Sequence, residues 1–137
     1  MPFHQHLLPN GLTLLGETNP SALSVATAFW VRTGSRDEQP LESGLSHFLE
    51  HMVFKGTPKR DALAVNRDFS KIGADNNAWT SEENTVYHAM VLPEFLPPVV
   101  DVLADIMRPN LRQEDFDTEK QVILDEIVRY EVQPAWA

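Results

Sequence analysis

The sequence predicts an α+β fold, a largely antiparallel sheet with helices packed on one face. Short runs rich in β-branched and aromatic residues stand beside stretches whose apolar residues recur at helical spacing. Two pairs of strand-like runs are joined by hairpin-type turn sequences, Pro9-Asn10-Gly11 and Ser81-Glu82-Glu83-Asn84. At 137 residues, 42% hydrophobic and 23% charged, the chain has the size and balance of one globular domain.

Residues 3 to 18 read as the opening hairpin: Pro9 presets φ, Asn10 tolerates the turn and Gly11 accepts positive φ. Ser24 to Thr33 reads as a strand, followed by a charged loop from Gly34 to Pro40. A helix is expected from an N-cap at Ser43 to about Phe54, where Lys55-Gly56-Thr57-Pro58 stops it. On it Leu45, Phe48, Leu49 and Met52 form an apolar stripe expected to pack inward, and His47, Glu50, His51 and Phe54 lie on the opposite side. A second helix spans Ala62 to Ile72 and ends at Gly73. Two strands lie between Asn77 and Leu92, and helices follow at Val99 to Met107 and at Glu114 to about Val132, the last ended by Pro134.

Composition narrows the chemistry. A net charge of −9 argues against a nucleic-acid surface, which needs a basic footprint. No apolar run approaches the roughly 20 residues of a membrane-spanning helix. The N-terminus has neither the basic start nor the apolar stretch of a signal peptide, so a cytoplasmic location is expected. Zero cysteines removes thiol nucleophiles and thiolate ligands, and leaves His, Asp and Glu as the strong metal ligands.

The chemistry-bearing motif is His47-Phe48-Leu49-Glu50-His51. At about 100° per residue, positions i, i+3 and i+4 project from one helix face. His47 and His51 can close on one zinc ion, and the Glu50 carboxylate beside them can take a proton from water. A third ligand must come from elsewhere. The last helix offers Glu119 and Glu126, seven residues apart and so within about 20° of each other around the axis, in a stripe with Phe116, Val122, Ile123 and Ile127. A carboxylate on a packing face costs several kcal/mol unless something cationic meets it. Either an Arg or Lys from a neighbouring element does so, or a metal does, with Glu126 as third ligand and Glu119 one layer out. The His-x-x-Glu-His run favours the metal.

With these residues in place the chain resembles the pitrilysin-type zinc metallopeptidases, the inverzincins, a family that includes processing peptidases of mitochondria and bacteria. The resemblance extends to Pro9-Asn10-Gly11-Leu12, Gly34-Ser35-Arg36, Met52-Val53-Phe54-Lys55-Gly56-Thr57 and Asn77-Ala78-Trp79-Thr80-Ser81, and so spans nearly the whole chain. It implies the pitrilysin fold and a zinc-dependent endopeptidase acting on extended peptides or small unfolded proteins. His47, His51 and Glu126 would hold one zinc ion, Glu50 would activate water, and Glu119 would be the supporting acid. Asn77 and Ala78 would belong to a strand whose edge pairs with the substrate backbone. Members of the family continue past the third-ligand helix into a second, similar domain. Residues 1 to 137 are therefore expected to be an N-terminal zinc-binding domain cut short at its C-terminal end, with the second domain or a partner subunit closing the substrate chamber. The other enzyme class with this motif, an autoinducer-synthesising lyase, calls for cysteine and is excluded. A non-catalytic subunit of the same fold is the alternative.

Overall fold

The computed structural model describes residues 2–132; the expected stop at Pro134 lies outside the described residues. β1 (Phe3–Leu7) and β2 (Thr13–Glu17) pair antiparallel, with Phe3 opposite Glu17 and Leu7 opposite Thr13. Their turn follows its chemistry: Gly11 takes φ +88°, and Asn10 Oδ1 accepts the Leu12 N–H at 3.1 Å. Both faces of the ribbon are exposed.

The remaining strands form a separate antiparallel sheet in the order β3-β5-β4, so the single expected sheet is two. β3 is Val25–Val31, β4 Asp75–Thr80 and β5 Thr85–Val91. Side chains alternate across the pleat, and the register puts Val25, Phe29, Ala78, Tyr87, Ala89 and Val91 on one face. That face is the core, filled from the other side by α2 (Ala62–Lys71) through Val65 and Phe69 and by α3 (Leu96–Ile106) through Val99, Val102, Leu103 and Ile106. The opposite face carries Trp30 and Trp79, packed edge to face at 5.9 Å. Val86 lies directly between them in the register, which accounts for its full burial on an otherwise open face. Helices on one face, as the sequence predicts, is the arrangement found. α3 begins three residues earlier than expected because Pro97 and Pro98 occupy its first turn, where no backbone N–H is needed.

α1 (Leu45–Met52) and α4 (Gln113–Val132) pack on each other beside β4. The cap of α1 differs from the sequence expectation. Gly44, not Ser43, is the N-cap residue, at φ +89°, and the free amides are met from a distance by Glu38, which accepts the Gly44 and Ser46 N–H groups at 2.7 Å each. Burial raises the Glu38 carboxyl, but these backbone bonds, with the Ser46 side chain, outweigh it and hold the pKa below its ordinary value. After Met52 the chain tightens into a 3-10 turn, Val53–Lys55, before Gly56 at φ +125°. Arg60 then ties this loop to α2 and α3: it donates to Asp68 at 2.8 Å and to Asp101 and Asp105 at 2.7 Å, while Thr57 donates to Asp105 at 2.8 Å.

The apolar stripes of both helices are narrower than expected. Met52 is buried and Phe48 stacks on Phe116 of α4 at 4.7 Å, but Leu45 and Leu49 remain 45% and 39% exposed. Among the described side chains of α4 only Glu119 and Ile123 are buried, and Val122 and Ile127 lie at the surface. α1 packs on α4 and on β4, and the outer flanks of both helices are left partly open. Nor is any described helix long and apolar enough to cross a membrane.

Gly34 is fixed by space rather than by conformation. Its φ of −151° is open to any residue, but a Cβ would overlap the Ser81 and Glu82 carbonyls. The Ser35 and Arg36 N–H groups bond those same carbonyls, at 3.1 and 3.0 Å, and the backbone cannot retreat without losing them. Gly34→Ala is expected to lower stability by about 1–3 kcal/mol, measured by denaturant unfolding.

Candidate metal centre

The one-turn spacing of His47 and His51 brings their rings to a centroid separation of 4.9 Å, with the two Nε2 atoms 3.2 Å apart. From α4, Glu126 Oε2 reaches to 3.5 Å from His47 Nε2 and 3.7 Å from His51 Nε2. All three residues are half-buried, and they form the group of metal-capable donors found among the described residues. Tetrahedral zinc with bonds of about 2.0–2.1 Å holds neighbouring donor atoms about 3.3 Å apart. The three observed separations match that triangle to a few tenths of an ångström, so this donor set fits a zinc ion.

The expected partner for Glu119 proves to be double. Its carboxylate, 3% exposed, sets Oε2 at 3.1 Å from His51 Nδ1 and Oε1 at 2.5 Å from Lys55 Nζ. A lysine does meet this acid, as the non-metal reading requires, while the same acid also meets a histidine of the donor group. Among the described residues no lysine or arginine pairs with Glu126, which faces the histidines. The seven-residue spacing thus separates two environments on one helix: Glu119 deep against the end of α1, Glu126 at the lip of the cleft.

Glu50 stands outside the donor triangle. Thr80, the last residue of β4, donates its hydroxyl to Glu50 Oε2 at 2.5 Å. Burial first, and then the Glu50 charge, push the nearby Tyr87 hydroxyl up to about 12, so that it stays protonated beside this carboxylate. Asn77 and Ala78 line the same cleft, an open space of ≈ 490 Å³ shared with His47, Glu50, His51, Lys55, Glu119 and Glu126. They lie on β4, one of the sheet's two edge strands. The Ala78 N–H is held by Asn77 Oδ1 at 2.8 Å rather than by a neighbouring strand.

All seven site residues named from the sequence therefore line one cleft. Lys55 and Thr80 were missed as contributors. Lys55 reads in the sequence as part of a helix stop, and Thr80 as an ordinary strand residue; both act through contacts 30 or more positions away that no local spacing encodes. His4 and His6 are exposed on β1, and His88 packs on Trp79 at 5.2 Å.

Fold and donor set define a class, and comparison with known proteins gives the same one: the chain is homologous to zinc metalloproteases. The model of insulinase (peptidase family M16) matches residues 13–136. The chain belongs to this family. An uncharacterized zinc protease of Streptomyces coelicolor is 43% identical over 128 residues, 93% of this chain and 28% of that protein. The uncharacterized zinc protease YmxG of Bacillus subtilis is 44% identical over 91% of the chain and 31% of its own length. A probable mitochondrial-processing peptidase subunit beta of Arabidopsis thaliana is 42% identical over 92% of the chain and 24% of its own length. The crystal structure of a protease from Helicobacter pylori superposes with a TM-score of 0.86 at 28% identity, covering 91% of this chain and 30% of that one. The chain thus spans about a quarter to a third of the length of these relatives.

Proposed function

We propose that this chain carries the metal side of a zinc-dependent endopeptidase that hydrolyses extended peptides or small unfolded proteins. The observation that supports it most is the donor triangle of His47, His51 and Glu126, whose edges of 3.2, 3.5 and 3.7 Å suit one tetrahedral zinc with a position left open. When bound there, zinc supplies Lewis-acid polarisation of a carbonyl and lowers the pKa of water.

The chain's own residues do the rest. Glu50 is the general base: it is outside the donor triangle, faces the cleft, and is oriented by the Thr80 hydroxyl so that its other oxygen is free for a proton from the attacking water. Glu119 orients His51 through Nδ1. The free edge of β4 binds substrate as an added strand, the peptide's carbonyl displacing Asn77 Oδ1 from the Ala78 N–H. Backbone pairing of this kind selects extended chains and rejects folded ones. The remaining wall of the substrate chamber would come from a second domain or a partner subunit.

The test uses the full-length protein. One zinc per chain by elemental analysis, cleavage of an unstructured fluorogenic peptide, loss of cleavage on chelation and recovery on adding zinc are the expected results. Zinc binding without cleavage of any peptide in a diverse unstructured library would overturn the enzyme reading in favour of a non-catalytic subunit.

A further inference from the structure

We infer that Lys55 is a positioning residue of the metal centre: by pinning Glu119 it decides which nitrogen of His51 faces the other donors. The inference rests on the metal-binding reading above. Glu119 sits mid-helix at 3% exposure, and a carboxylate so far from water needs a full countercharge. Among the described residues lining the cleft, Lys55 is the one fixed cation, and its Nζ lies 2.5 Å from Oε1. With Oε1 committed, the carboxylate cannot rotate without breaking that pair, so Oε2 stays at 3.1 Å from His51 Nδ1. An anion held there selects the Nδ1–H tautomer, and the lone pair is then on Nε2, the atom 3.2 Å from His47 Nε2 and 3.7 Å from Glu126 Oε2. The backbone makes this reach possible. Lys55 ends the 3-10 turn that follows α1, one turn past His51, and Gly56 at φ +125° then takes the chain away.

Two effects of Lys55 on a bound cation oppose each other. Its charge repels a divalent ion, while its hold on Glu119 orients a ligand. Repulsion across an intervening carboxylate in an open cleft is screened. Loss of an outer partner of a ligating histidine weakens metal binding by about 10–100-fold. Orientation therefore outweighs repulsion, and removing the lysine should weaken metal binding rather than strengthen it.

The experiment compares wild type, Lys55→Met, Lys55→Arg and Glu119→Gln in the full-length protein, with zinc affinity read by chelator competition and the His51 ring nitrogens by NMR of the metal-free form. Lys55→Met is expected to weaken zinc binding by about 10–100-fold and to mix the two His51 tautomers. Lys55→Arg should recover most of the affinity, and Lys55→Met should add no further loss on top of Glu119→Gln. If Lys55→Met does not fold, Lys55→Gln, which keeps a hydrogen bond without the charge, takes its place with the same expectations in weaker form. Zinc binding equal to or tighter than wild type with the Nδ1–H tautomer retained would mean that Lys55 only neutralises a buried acid; the inference would fall and the metal site would stand. A wild type that binds no zinc overturns the metal reading, and with it the inference.

Discussion

Glu50→Gln in the full-length protein is expected to keep its zinc and lose about 10²–10⁴-fold in kcat, the range that a positioned general base supplies. In the proposed site, ligands and base are different residues. The donor triangle is His47, His51 and Glu126, whereas Glu50 is held by Thr80 on the neighbouring strand. Glutamine preserves the shape and can still accept from the Thr80 hydroxyl, so neither fold nor metal has cause to change, and KM should stay near wild type. Elemental analysis and steady-state kinetics on one sample check both halves. Unchanged turnover would sink the assignment of the base, and zinc loss would move Glu50 into the ligand set.

Glu126→Ala is expected to lower zinc affinity by well over 100-fold, because it removes one corner of the triangle. Glu119→Ala should fall within the roughly 10–100-fold of an outer partner and act more on rate. The two acids make a controlled pair, two turns apart on one helix. Glu119 is also the better buried, so a ranking by burial alone predicts that its loss does the greater damage; a ranking by donor geometry predicts the reverse. Chelator competition decides, and equal zinc retention in the two variants would count against Glu126 as a ligand.

Much of the site was legible in the sequence because its chemistry is written at helical spacing. His47, Glu50 and His51 share a face by arithmetic alone, and so do Glu119 and Glu126. The hairpin was legible because Asn10 and Gly11 have few other backbone uses. Burial was the part misread. Leu45, Leu49, Val122 and Ile127 sit at apolar stripe positions, yet whether a stripe is covered depends on what packs against it, and α1 and α4 offer each other only a narrow seam. The cap of α1 was misplaced for a related reason: Glu38 reaches its amides across a loop, while capping rules look one residue back. Lys55 and Thr80 escaped because a long side chain and a cross-element hydroxyl leave no periodic trace.

The Thr80 hydroxyl has a consequence for fidelity. Thr80 lies two residues along β4 from Ala78, on the same face of the pleat, and its hydrogen bond makes the orientation of Glu50 depend on where that strand sits. A guest chain that bent or slid the strand would misaim the base with it. In the proposed enzyme, binding and proton transfer would in this way be geared together, so that a polypeptide seated out of step would be held without being cut.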